Sequence, residues 1–156
     1  MLAAAKALAG GFPIGACLAK EAPAAALTSG SHGSTFGGNP LAMAVANAVL
    51  DVVLADGFLD RVDAMARKLW TRLEELVAGN PKVFEEVTGA GLMVGLKCVP
   101  ENATVVGKFT EGGLLTVAAG NNVVRLVPPL IIEDFHVDEA LTIMEKACAE
   151  LAAGGE

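Results

Sequence analysis

Lys6 is the residue of this 156-residue sequence whose surroundings best suit covalent chemistry. It opens the run Lys6-Ala7-Leu8-Ala9-Gly10-Gly11-Phe12-Pro13-Ile14-Gly15-Ala16. An ordinary lysine, with a pKa of about 10.4, is neutral in only about one molecule in 2,500 at pH 7 and is a poor nucleophile. Desolvation penalises the charged form, and a desolvated amine is what Schiff-base chemistry with a carbonyl compound requires. Leu2, Ala3, Ala4, Leu8 and Phe12 could supply an apolar setting; without one, Lys6 is a solvated surface group. Arg125 is the second residue of interest. It interrupts the apolar run Val123-Val124-Arg125-Leu126-Val127, where an unpaired charge is costly, so a carboxylate partner is expected.

Other reactive side chains point to less. His32 lies in a glycine loop with no second ligand at metal spacing, and His136 reads as a turn or capping residue, so no metal site is expected. Cys17, Cys98 and Cys148 are odd in number and show neither a CxxC spacing nor a disulfide framework. They fit a reducing cytoplasm, each as a small core residue. Trp70 falls on an amphipathic stretch and reads as packing. The net charge of -7, with 18 acidic against 11 basic residues and no basic cluster, argues against a nucleic-acid partner. Ile14-Gly15-Ala16-Cys17 loosely resembles a lipoprotein cleavage site. However, the one preceding charge, Lys6, sits mid-run, and Gly10-Gly11 and Pro13 interrupt the apolar stretch. No segment approaches the ~20 apolar residues of a membrane span. A cytoplasmic protein with no membrane partner is expected.

The elements that must position these groups follow from pattern. Phe12 to Ala19 reads as a short buried strand, and Ser29 to Asn39 as a polar glycine loop. Asn39-Pro40 is a helix start, with a capping side chain followed by a proline at the first helical position. The helix expected from Pro40 to Leu54 is apolar nearly all round, which suits the inside of a larger body or an interface. After Asp56-Gly57, Phe58, Val62, Met65, Leu69, Leu73 and Leu76 recur at helical spacing until Gly79-Asn80-Pro81. Strands are expected at Leu92–Val99, Leu114–Val117 and Val123–Val127, with helices at Ala103–Thr110 and Val137–Leu151. Strands alternating with helices give an α/β or α+β protein. Hydrophobic residues at 53% against 19% charged suggest either that much of the chain is buried against something else or that it is an alanine-rich, tightly packed domain.

Three segments, taken together, carry a resemblance. The run from Lys6 to Ala16 is similar to the segment around the cofactor-binding lysine of class III pyridoxal-phosphate (PLP) aminotransferases. Gly30-Ser31-His32-Gly33-Ser34-Thr35-Phe36-Gly37-Gly38-Asn39-Pro40 is similar to a second signature of that family, and Val123 to Leu130 to a strand near its carboxy terminus. The resemblance implies an α/β protein of PLP fold type I, with residues 1–56 as the carboxy-terminal part of the PLP-binding large domain and residues 57–156 as the small α/β domain. It implies that Lys6 holds pyridoxal 5'-phosphate and then serves as general base. Thr35 would bind the phosphate, in the family across a homodimer, with Gly33, Gly37 and Gly38 admitting it. Ser34 would lie beside the substrate, and Arg125 would meet a substrate carboxylate or an active-site acid, a structural salt bridge being the alternative. The pattern lies closest to members that pass the δ-amino group of N-acetylornithine to 2-oxoglutarate in arginine biosynthesis. Ornithine, succinylornithine and 4-aminobutyrate remain alternative donors, and a non-catalytic dimerising module is the alternative of another class. Family members carry the phosphate cradle and the residues that stack on and protonate the pyridine ring ahead of the lysine. By itself the chain is therefore expected to have little or no transaminase activity.

Overall fold

Residues 1–153 are described by the computed structural model, and they separate into two units, Met1–Leu59 and a second beginning at Asp60. In the first unit, strand β1 (Leu2–Ala4) runs antiparallel to β2 (Ala16–Leu18), with Leu2 opposite Leu18. A single 3-10 turn, Lys6–Ala9, lies between them. A four-residue helix, α1 (Glu21–Ala24), and a long loop lead to α2 (Pro40–Val53). The expected strand at Phe12–Ala19 is thus shorter and more open than its composition suggests. Only Ala16–Leu18 pair, and Cys17 and Leu18 are exposed. A two-stranded ribbon has one hydrogen-bonded partner per strand and covers neither of its own faces.

Helix α2 begins as its sequence demands. Asn39 keeps an extended backbone, and its Oδ1 accepts from the Ala42 amide at 2.9 Å. Only Ala42 and Ala46 are buried, whereas Leu41, Met43, Leu50 and Val52 are exposed. The buried alanines lie four residues apart, so they share a stripe. That helix seats the Lys6–Ala9 turn, in which Ala9 is buried.

The second unit is a four-stranded antiparallel sheet of order β3-β4-β6-β5, built from β3 (Phe84–Ala90), β4 (Met93–Cys98), β5 (Val117–Ala119) and β6 (Val123–Leu126). Three helices complete it: α3 (Phe58–Gly79, which starts just before the division), α4 (Asn102–Glu111) and α5 (Asp134–Ala153). Helix α3 buries Val62, Ala66, Leu69, Leu73 and Leu76, the stripe its spacing predicts. On the sheet, Val94, Leu96, Val124 and Leu126 are buried, while Arg125, between the last two, points to the other face. Phe84 and Phe109 meet with ring centroids 6.4 Å apart in the core.

Two strands depart from expectation. Strand β3 has no counterpart in the pattern, because Glu85 bulges out and breaks the period-two alternation that marks a strand. In the 114–119 region, only Val117–Ala119 pair with β6, leaving Leu115 84% exposed in the segment before them. The turn between β5 and β6 places both Asn121 and Asn122 in the left-handed region, at φ 58° each. The Asn122 side chain accepts from the Asn102 amide at 2.8 Å and donates to the Cys98 and Pro100 carbonyls at 2.7 and 2.8 Å. Asn102 answers with bonds to the Ala119 and Val123 carbonyls at 2.8 and 2.9 Å. The start of α4, which has no side-chain cap of its own, is therefore capped from the hairpin.

Candidate active site

Lys6 stands at the first position of its 3-10 turn with φ 59°, a left-handed conformation that costs a side-chain-bearing residue of order 1 kcal/mol or more. The turn closes on Gly10, also left-handed at φ 58°, whose amide donates to the Ala7 carbonyl at 3.1 Å. A Cβ at Gly10 would lie 3.2 Å from Val49 Cγ2 on α2, so the turn sits close against that helix. Of the two settings open to it, Lys6 takes the solvated one: it is exposed in this chain. Its apolar neighbours do not cover it, since Leu2 is itself 60% exposed. A strained backbone beneath an accessible amine aims that amine outward from a fixed turn.

Ser34 and Thr35 lie in the exposed loop that runs into α2. The Gly37 amide donates to the Ser34 carbonyl at 3.2 Å, closing a turn with Thr35 and Phe36 at its centre. A Cβ at Gly37 would come 3.0 Å from Ser34 Cβ, a tight approach that a side chain there could make only if Ser34 gave way by a few tenths of an ångström. Asn39 then grips the loop. Its Nδ2 donates to the Phe36 carbonyl at 2.8 Å while its Oδ1 caps α2. The sequence pattern gave the cap; the second bond left no signal, because any asparagine there would look the same. Phe36 is 82% exposed.

Arg125 belongs to the second unit. It lies on the uncovered sheet face opposite Gly95 and Val117 and makes no ion pair among the described residues. The expected carboxylate partner is thus not supplied by these residues. Arg125 borders a cavity of about 380 Å³ with walls that include Leu69, Leu114, Val127 and Ile143. Thr116 also lines it, and its hydroxyl is buried without a hydrogen-bond partner. Nearby, Arg61 of α3 donates to the Leu130 and Ile132 carbonyls at 3.0 and 3.3 Å, fixing the segment after Pro128-Pro129. Sequence gave no hint of that clasp, which joins residues about seventy positions apart.

The remaining candidates sort simply. His32 is exposed, and His136 Nδ1 accepts from the Glu133 amide at 3.0 Å at the start of α5. No group of three or more His, Cys, Asp or Glu able to hold a metal occurs among the described residues. No single helix among them is long and apolar enough to cross a membrane. Cys98 and Cys148 are buried as expected, but Cys17 is exposed on β2 rather than packed in a core. Trp70 does more than pack, since its indole N–H donates to the Gly91 carbonyl at 2.8 Å.

As a donor set, the first unit offers an exposed amine on a turn seated on α2 and a hydroxyl in a glycine turn ahead of a helix start. An amine can take the carbonyl carbon of an aldehyde cofactor, and a hydroxyl beside a helix start can donate to a phosphate. The amine suits the aldehyde end of PLP, and the hydroxyl suits a phosphate.

The family model "Aminotransferase class-III" matches residues 1–148. The acetylornithine aminotransferase of Brucella melitensis is 50% identical over 152 residues, which are 97% of this chain and 38% of that protein. That of Caldanaerobacter subterraneus is 47% identical, over 94% of this chain and 37% of its own length. Among solved structures, N-acetylornithine aminotransferase from Stenotrophomonas maltophilia superposes with a TM-score of 0.83 at 35% identity, covering 97% of this chain and 40% of that one. The ornithine aminotransferase of Toxoplasma gondii, reported with partial occupancy of PLP at its active site, gives 0.87 at 31% identity over 97% of this chain and 37% of its own. The chain therefore spans under two-fifths of the length of the curated relatives it matches.

Proposed function

Because the chain belongs to the class III aminotransferases, a PLP-dependent family, we propose that it is the carboxy-terminal part of an enzyme that moves the δ-amino group of N-acetylornithine to 2-oxoglutarate. In this reading the first unit is the end of the PLP-binding large domain and the second is the small domain. The observation that carries it is structural: the strained turn bearing Lys6 and the loop bearing Ser34 and Thr35 are both built on one helix, α2. One helix thus carries both the amine for this chain's own cofactor and the hydroxyl that, in this reading, reaches the phosphate across a homodimer. The names of the curated relatives favour N-acetylornithine over ornithine, succinylornithine or 4-aminobutyrate as donor.

PLP, when bound, supplies the electron sink that makes a substrate Cα–H acidic. The chain's residues divide the remaining work. Lys6 would hold the cofactor through its amine, and the same amine, when free, would be the base that moves the substrate Cα proton. Thr35 donates its hydroxyl to the phosphate, and Ser34 lies beside the substrate. Arg125 offers a planar guanidinium to a substrate carboxylate, a match that its lack of an ion pair among the described residues leaves open. The apolar residues exposed on two sides of α2, Leu41 and Val52 on one and Met43 and Leu50 on the other, support a homodimer and equally support the second reading of a non-catalytic dimerising module.

The test is a PLP titration followed by absorbance, with borohydride reduction and peptide mapping. Label on Lys6, and its loss in Lys6→Ala, is the expected result. Label spread over Lys20, Lys82 and other surface lysines would leave the family assignment standing and place the cofactor's anchors outside these residues. Donor choice is read separately from the complete enzyme, by comparing half-reaction rates with the four amines. Co-purification with a full-length homologue, with activity indifferent to Lys6→Ala, would favour the dimerising module.

A further inference from the structure

Strand β6 outruns its neighbour on the β5 side, and the shortfall leaves a gap within the second unit. Strand β5 pairs only over Val117–Ala119, with Val117 opposite Arg125. Continued in that register, the ladder would set Leu114 opposite Pro128. At that position neither side has an amide to give. Pro128 and Pro129 carry no N–H, and the Leu114 amide is spent on the Phe109 carbonyl at 2.8 Å, closing the end of α4. Gly112 brings that end of α4 onto α5, where a Cβ would come 2.5 Å from Ile143 Cγ2. The cavity of about 380 Å³ lies against both diverging segments, 113–117 and 125–129, and against Leu69 of α3 and Ile143 and Met144 of α5. Its size falls within the roughly 300–1,000 Å³ of small-molecule sites.

The lining decides what could enter. Leu69, Leu114, Val127, Ile143 and Met144 suit an apolar body, and a polar one would give up its bonds to water without replacement. Two charged side chains border the cavity, Arg125 on β6 and Glu139 on α5, and no ion pair joins them. Glu139 repels an acid. Arg125 draws one, because its planar guanidinium can give two parallel N–H bonds to a carboxylate. An acid head at Arg125 with an apolar tail therefore matches both the charge and the walls.

We propose that this cavity binds a straight-chain aliphatic monocarboxylate, with its carboxylate on the Arg125 guanidinium and its chain among Leu69, Val127, Ile143 and Met144. The binding needs neither PLP nor Lys6 and so goes beyond the proposed function. Its consequence rests on that reading: an acid held here takes Arg125 from the substrate carboxylate assigned to it there.

Titration of the 156-residue chain with acetate, butanoate and hexanoate, followed by methyl NMR, tests the proposal. Each buried CH2 should tighten binding about fourfold, so hexanoate should exceed butanoate by roughly an order of magnitude. The Ile143 and Val127 methyls should shift on binding. Arg125 is exposed, so Arg125→Gln should keep wild-type thermal unfolding while binding hexanoate about tenfold more weakly. Hexanol, which has the chain without the charge, should bind both proteins alike. Equal affinity for the three acids would leave only a surface ion pair and overturn the proposal. Hexanoate binding that is absent, indifferent to Arg125→Gln, or read only at methyls outside the cavity would overturn it as well. None of these outcomes involves labelling of Lys6 by PLP, so the cofactor reading stands or falls separately.

Discussion

At the scale of single residues, the three cysteines show how burial divides chemically identical groups. Burial in the second unit pushes the Cys98 and Cys148 thiols up to about 11, whereas Cys17 is open to solvent on β2. Only a thiolate attacks a disulfide reagent, so at pH 8 the native chain should react quickly at one cysteine and at three after denaturation. A thiol-exchange titration with and without denaturant measures this, and two fast thiols in the native chain would contradict the burial. The linkage has a definite sign. A folded pKa above the unfolded value, about 8.5, means that the unfolded state loses its protons first. Stability is then fully present below about pH 8.5 and falls as pH rises towards about 11, by on the order of 2 kcal/mol per thiol at the top of that range. Urea midpoints from pH 8 to 10.5 should fall less steeply in a Cys98→Ala, Cys148→Ala chain. The types of the reactive residues were plain in the sequence, but their exposure was not. Cys17 and Lys6 sit in runs as apolar as any core segment, and only the two-stranded pairing around them leaves them uncovered.

At the scale of elements, the β5–β6 turn makes two neighbouring asparagines do different work. Asn121 contributes its left-handed backbone, and its side chain makes no hydrogen bond among the described residues; Asn122 adds three side-chain bonds to the same conformation. Asn121→Gly should therefore lie within about 0.5 kcal/mol of wild type, since glycine takes φ 58° without strain. Asn122→Gly should cost about 2–3 kcal/mol, because it leaves a helix-start amide and two carbonyls without their partner. Chemical denaturation of both variants checks the contrast, and equal effects would refute it. Elements with a strong local signal were legible in advance. The Asn39-Pro40 start of α2 and the apolar stripe of α3 are set by caps and spacing that act within a few residues. Strand β3 was not legible, because its outward Glu85 and Glu86 conceal the alternation, and its existence depends on pairing with β4. The Arg61 and Asn122 clasps were hidden for the same reason, being contacts between distant segments.

At the scale of the whole molecule, burial is distributed very unevenly. In the first unit the buried hydrophobic residues are Ala9, Ala42 and Ala46, three small side chains. The second unit buries Leu73, Leu96, Phe84, Phe109, Leu141 and Met144 among many others. Apolar burial is the main term opposing chain entropy, and three alanines supply little of it. Residues 60–156 expressed alone should unfold cooperatively in urea, while residues 1–59 alone should show no cooperative transition by circular dichroism. A cooperative transition in the shorter piece would overturn this. The sheet that anchors the second unit ends on one side at β3, where the register shifts between Phe84 and Glu86. The bent backbone presents an irregular row of amides and carbonyls, and two adjacent carboxylates stand on it. A stray strand from another molecule would have to match that irregular spacing and approach the negative charge. The kink that hid β3 from a reading of the sequence thus also keeps the edge from seeding intermolecular sheet growth.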